Sequence, residues 1–223
     1  MKTNLLLRAL TKYIVGVVAV ALLLFLPAGT MCYWQGWLLI SSLFVPMLVV
    51  GVVLYAKNPA LLERRLQAKE GRAEQSLVVR LSGLLFVASF VVAGLNYRFA
   101  WLLLPAWVVW LAVGVFLMSY LLYAEVMREN SYLSRTIEVQ EGQEVVLTGL
   151  YAVVRHPMYL ATTLLFLTMP LVLASPLSFA VMLLYLPLIA RRIADEECLL
   201  EEQLAGYKEY KACVRYKMLP FIW

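Results

Sequence analysis

Apolar residues run through this chain in long blocks rather than at an amphipathic period. Residues 13–56, 81–97, 99–124 and 156–190 contain no Lys, Arg, Asp or Glu, and the blocks are 44, 17, 26 and 35 residues long. A membrane-crossing helix needs roughly 20 predominantly apolar residues, with about 17 as the lower bound. The first block predicts two helices, Tyr13–Pro27 and Trp34–Ala56, around a tight uncharged turn at Ala28-Gly29-Thr30. The second and third predict one helix each, Leu81–Leu95 and Trp101–Ala124. The fourth predicts two short helices, Met158–Ala174 and Leu177–Ala190, that turn at Ser175-Pro176. The pattern describes an all-α polytopic membrane helix bundle of about six spans, with five as the alternative because the last pair is short.

The polar segments between the blocks carry their own signals. Lys57-Asn58-Pro59 ends the second helix, since proline disfavours helical geometry in the residue before it. Leu61, Leu62 and Leu66 beside Arg64 and Arg65 predict a short amphipathic helix lying on the membrane surface within the connector 57–80. Ile137-Glu138-Val139-Gln140 alternates apolar and polar, which predicts an extended piece. Glu141-Gly142-Gln143 reads as a turn and Val145-Val146-Leu147 as a returning strand. After Arg191 the chain becomes a charged helix with an apolar stripe at Leu199, Leu200 and Leu204. It ends near Gly206, and a second short stretch, Tyr207–Val214, follows. Gly16, Gly51, Gly83, Gly94 and Gly114 fall inside helices and suit close helix packing. The expected division is a four-span scaffold over 1–124 and a chemistry-bearing region over 125–223 that ends in a cytoplasmic helix.

Composition supports the membrane reading. With 63 % hydrophobic and only 15 % charged residues, the 223-residue chain departs from soluble globular composition. The net charge of +5 raises nucleic acid as a partner, and its distribution argues against one: 18 of the 19 Lys and Arg fall in segments that share one side, with Arg98 alone on the other. This asymmetry places both termini in the cytoplasm and the basic residues among lipid head groups, the expected partners. Lys2, Arg8 and Lys12 before an apolar run look like a signal peptide, but the run continues into a second span and reads as an uncleaved first helix. Cys32, Cys198 and Cys213 form no pair or cluster that points to a disulfide framework or a metal site.

Candidate chemistry lies at Leu147–Tyr159, which holds the only histidine, His156. Pro157 suits the first turn of a helix. Arg155 and His156 then stand at the helix mouth, where backbone amides favour an anionic group and Arg155 adds a planar donor. Tyr159 shares their face once the helix has begun. At the other end of the hairpin, Arg192 and Glu196 are four apart and share a face, while Glu197 points roughly 100° away, toward water. On physical grounds alone, a ligand site and a structural ion pair at the membrane boundary weigh about equally.

Gly149-Leu150-Tyr151-Ala152-Val153-Val154-Arg155-His156-Pro157-Met158-Tyr159, an apolar hairpin, then Arg192–Glu197, Gly206–Tyr210 and Leu219-Pro220-Phe221-Ile222-Trp223 resembles the isoprenylcysteine carboxyl methyltransferase family. The resemblance covers roughly 125–223, with Asn58-Pro59 and the basic stretch after it resembling bacterial members. It implies an integral membrane enzyme of a bacterial inner membrane that uses S-adenosylmethionine as methyl donor. It also implies a cofactor pocket of Gln143, Val145, Val146, Tyr151, His156, Pro157, Met158, Tyr159 and Glu196. Arg192 is implied as the catalytic group facing the methyl acceptor, and no metal is implied. Arg155, from its place at the helix mouth, is a second candidate acceptor contact, with a cofactor contact as the alternative. The acceptor is lipophilic or small: a carboxylate as in isoprenylcysteine, a thiol or a phospholipid amine. Where Gln143 and Leu150 stand the family often has histidine and proline. The alternatives are an NADPH-dependent membrane reductase of the sterol-reductase type and a non-enzymatic membrane protein.

Overall fold

A computed structural model describes residues 2–66, 73–133 and 139–223. The described residues form helices and connecting turns with no strand. In chain order the helices are α1 (Lys2–Ala28), α2 (Trp34–Lys57), α3 (Pro59–Leu66), α4 (Ala73–Phe99), α5 (Ala106–Glu129), α6 (Pro157–Val172), α7 (Pro176–Leu183), α8 (Tyr185–Gln203) and α9 (Tyr207–Cys213). A single 3-10 turn, Gly149–Ala152, precedes α6.

Five segments are long and apolar enough to cross a membrane: Asn4–Ala28, Trp34–Lys57, Gln75–Phe99, Ala106–Glu129 and Pro176–Gln203. The sixth apolar helix, α6, has 16 residues. At 1.5 Å per residue it reaches about 24 Å, short of a hydrocarbon core of about 30 Å. The spans leave the outer surface apolar: Leu22, Val49, Leu84, Trp107, Leu111 and Met118 are all exposed. Since lipid is as apolar as leucine, burial alone does not bring such helices together. Close packing and polar contacts between helices do.

Several of the predicted helix bounds move; the helix expected over Leu81–Leu95 runs Ala73–Phe99, with Arg80 and Arg98 inside it. The first helix begins at Lys2, so Arg8 and Lys12 lie within it, tied respectively to the Glu63 carboxylate and the Leu66 carbonyl of α3. These ties hold α3 along the bundle as the predicted amphipathic piece. The fifth helix begins at Ala106 rather than Trp101, because Leu102–Leu104 stay extended before Pro105. Asn96 satisfies both backbone groups of Leu102, and Leu104 donates to the Ala174 carbonyl. The last apolar run is broken at Leu184, where Pro187 has no N–H to offer the Leu183 carbonyl. Of the predicted extended pair, Ile137 and Glu138 lie outside the described residues. Val145–Leu147 is irregular backbone, not a strand. The Gly142 turn is present at φ +70°, closed by Gln143 donating to the Gln140 carbonyl.

Among the helix glycines, close packing belongs to Gly94. A Cβ there would stand 2.7 Å from the Leu24 carbonyl oxygen and 2.9 Å from Pro27 Cβ, so α1 and α4 touch backbone to backbone. Gly51, Gly83 and Gly114 have open space instead. Deeper polar ties join distant elements: the Tyr33 hydroxyl donates to the Leu173 carbonyl at 2.7 Å, and Ser178 donates to the Ser89 carbonyl at 2.7 Å. Gly94→Ala should therefore lower the unfolding temperature in detergent by the equivalent of about 1–3 kcal/mol of overpacking. Gly114→Ala should leave it unchanged, and equal melting of the two variants would refute the close approach.

Candidate functional site

The polar ends of α4, α5, α6 and α8 meet at the side of the bundle that carries α3 and the described residues 139–156. A cavity of about 620 Å³ opens there, well within the size range of small-molecule sites. Its polar end is built from Asn130, Gln143, Glu144, Tyr151, His156, Tyr159, Arg192, Glu196, Tyr207 and Tyr210. Its other end runs into the spans between Leu43, Met47, Val79, Gly83, Phe86, Leu165 and Met169. Met47 on α2 and Val79 and Gly83 on α4 line this end. α2 and α4 both pack on α1 and α6 without packing closely on each other.

The loop that enters the site is fixed from α5. Glu129 accepts from the Leu150 amide at 3.0 Å, and it lies where a Cβ on Gly149 would be, 1.3 Å from its oxygen. Gly149 itself has φ +54°, a conformation that costs residues with a side chain about 1 kcal/mol or more. Asn130 donates to the Tyr151 hydroxyl at 3.0 Å, and Tyr210 donates to the Tyr151 carbonyl at 2.7 Å. Burial pushes the Tyr151 hydroxyl up to about 12 and moves Tyr207 and Tyr210 upward as well. All three therefore stay neutral donors at physiological pH.

At the start of α6 the structure departs from the sequence reading. Glu197, expected to face water, is 3 % exposed. It accepts from Arg155 Nε at 2.7 Å and lies 3.2 Å from His156 Nε2, with Lys217 Nζ at 3.6 Å and Lys211 Nζ at 3.8 Å. The physical reason is the C-terminal segment, which folds over this side of α8 and closes it off. Arg155 donates further to the Val214 and Arg215 carbonyls at 2.6 and 2.9 Å. The backbone amides of Arg155 and His156, expected to hold an anion, donate instead to the Tyr216 and Lys217 carbonyls at 2.9 and 2.7 Å. Arg155 is thus committed to the chain's own carboxylate and carbonyls, although it still lines the cavity wall.

On the neighbouring face of α8 the expected grouping forms. The Tyr159 hydroxyl donates to Glu196, and Arg192 Nε donates to that hydroxyl at 3.1 Å. The His156 and Tyr159 rings lie 5.7 Å apart. Gln143, Val145, Val146, Tyr151, His156, Met158, Tyr159, Arg192 and Glu196 all line the one cavity. Pro157 does not. It is buried as the first residue of α6 and shapes the helix entry.

Gln75 on α4 stands behind the wall, outside the cavity lining, and bonds both Arg192 and Asp195; nothing in the sequence marked it. Arg65 on α3 lies over the Tyr123 ring at 5.3 Å, and Tyr207 and Tyr210 on α9 close the polar end. The two tyrosines belong to the Gly206–Tyr210 stretch of the resemblance, and their Tyr-x-x-Tyr spacing puts both rings on one face of a short helix.

Fold and site together define a polytopic membrane protein with one cavity that joins a polar mouth to an apolar interior. Residues 110–202, from within α5 almost to the end of α8, match the model of the isoprenylcysteine carboxyl methyltransferase (ICMT) family. This part of the chain is similar to that family, one of methyltransferases. No curated protein matches the chain.

The two adjacent glutamates should separate on mutation. Glu197→Ala leaves Arg155 and His156 buried without their acid and should cost about 3–5 kcal/mol, seen as loss of the folded species on size-exclusion chromatography. Glu196→Ala should remain folded, since Glu196 is half-buried at the cavity. If both variants melt alike, the buried ion cluster does not organise the site.

Proposed function

We propose that the protein is an integral membrane methyltransferase that moves a methyl group from S-adenosylmethionine to a lipophilic or small acceptor. What carries the reading is the convergence of Gln143, Val145, Val146, Tyr151, His156, Met158, Tyr159 and Glu196 on one cavity that continues into the membrane interior. The family match over 110–202 supports the same chemistry. The basic residues gathered near the polar mouth support a bacterial inner-membrane location with both termini cytoplasmic.

The donor set suits S-adenosylmethionine. Bound there, it would supply a methyl group on a sulfonium, open to in-line displacement. Glu196 and the faces of Tyr151 and Tyr159 stabilise positive charge at the polar end. The neutral hydroxyls of Tyr151 and Tyr210 are already engaged with Asn130 and a backbone carbonyl, so they hold the wall rigid. The Gln143 side-chain NH2 and the 144–146 backbone offer groups of the kind that recognise a nucleoside, while the Gln143 backbone N–H and side-chain oxygen are held by Gln140. Arg192 orients an anionic acceptor through its planar fork. A carboxylate or thiolate acceptor already has the electron pair it needs, so the site requires no strong base. Positioning and exclusion of water supply most of the effect. His156 serves as a wall and as a partner of Glu197 rather than as a proton acceptor from substrate.

The loosely packed seam between α2 and α4 supports a lateral route for a lipophilic acceptor, while a polar donor enters from the aqueous side. Gly83 lies on that route, and a Cβ there meets nothing within 4 Å. Purified protein should bind S-adenosylmethionine saturably in isothermal titration calorimetry, and NADPH should not compete. Glu196→Ala should weaken donor binding about tenfold through loss of a charged contact. Saturable NADPH binding alone would support the reductase instead. Gly83→Trp should keep donor affinity and lose transfer of tritiated methyl into native membranes. Transfer at the wild-type rate would refute lateral entry.

A further inference from the structure

The line of polar contacts through Arg192 begins on a helix outside the family-matched region. Gln75 stands in the first turn of α4 and is 1 % exposed. Its Nε2 donates to Asp195 at 2.8 Å, and its Oε1 accepts from Arg192 NH1 at 2.9 Å. Arg192 in turn donates through Nε to the Tyr159 hydroxyl, which donates to Glu196. Asp195, Gln75, Arg192, Tyr159 and Glu196, drawn from α4, α6 and α8, thus form one continuous chain of hydrogen bonds.

Packing alone does not explain a glutamine here. A buried amide is costly unless its bonds are made, and a leucine fills similar space at no such cost. The residue type follows from its two partners. A carboxylate can only accept and a guanidinium can only donate, so the group between them must donate on one side and accept on the other. A primary amide does both. Gln75 and Tyr159 also hold different positions of the same guanidinium, NH1 and Nε, and two anchors on one rigid fork fix its plane.

We propose that Gln75 is a positioning residue of the acceptor site: it sets the plane in which Arg192 faces the acceptor end of the cavity. The inference rests on the methyltransferase reading above and extends the site to the half of the chain that precedes the family match. Gln75 touches neither donor nor acceptor in this scheme and acts through Arg192.

The test uses the full chain in lipid nanodiscs with S-adenosylmethionine tritiated at the methyl group. The acceptor probe is the total membrane fraction of cells lacking the protein, varied in amount. Gln75→Leu should raise the amount needed for half-maximal transfer about tenfold, the effect of losing one bond to a charged group. Donor affinity should stay within about twofold, and the unfolding temperature within a few degrees. Gln75→Glu should be at least as impaired, because it sets two carboxylates against each other. Gln75→Glu combined with Asp195→Asn should recover, because amide and carboxylate exchange places and every donor again meets an acceptor. Unchanged half-saturation in Gln75→Leu overturns the inference, as does a double variant no better than Gln75→Glu alone. A joint fall of donor affinity and unfolding temperature with unchanged half-saturation assigns Gln75 to packing and overturns it too. A wild type that neither binds S-adenosylmethionine saturably nor labels any membrane fraction defeats the methyltransferase reading itself. An active wild type with an indifferent Gln75→Leu removes only the inference.

Discussion

A single buried carboxylate holds the site together. Glu197 lies where α8, the start of α6 and the C-terminal segment meet, and it collects Arg155, His156, Lys211 and Lys217. A carboxylate this buried persists only with such partners, because an isolated buried charge is very costly. The cost is met by bringing three separate parts of the chain to one point. With that point fixed, the next residue, Glu196, faces the cavity, and the Leu150–Arg155 stretch is drawn under α9. The polar mouth therefore depends on a residue that does not line it.

On the proposed reaction, the cavity answers a problem of two phases. A polar, charged donor and an apolar acceptor do not share a solvent. A space with tyrosines and charged groups at one end, and Leu43, Phe86, Leu165 and Met169 at the other, can hold both at once. Membrane helices suit this arrangement, because their ends are the natural place for charged side chains and their bodies are already dry. On the same reading, the loose packing between α2 and α4 offers that space a second door.

Much of this was legible in the sequence. The uncharged blocks located the membrane segments, since a charge inside one is expensive and its absence over 17 or more residues is informative. The i to i+4 spacing of Arg192 and Glu196 put both on one face, and they share a face in the structure. What failed was the environment of Glu197. Helical geometry gave its direction correctly, away from Glu196, but only the tertiary fold reveals that the C-terminal segment covers that side. Gln75 was invisible for a similar reason: one polar residue at the start of an apolar helix carries no mark of a partner 117 positions later. Helix ends shifted where prolines and local bonds override composition, as at Leu102–Pro105.

The Gln75 contact has a consequence for biosynthesis. Its partners Arg192 and Asp195 lie 117 and 120 residues further along the chain. At a synthesis rate of about 5–20 residues per second, α4 is in place for roughly 6–24 s before α8 is made. During that interval Gln75 must find water or head groups at the bilayer edge, which its position in the first turn of α4 allows. A glutamine at the middle of the same helix would have no such temporary partner. Gln75 therefore sits at a helix end, where a membrane protein can wait for its remaining parts without exposing an unpaired amide to hydrocarbon.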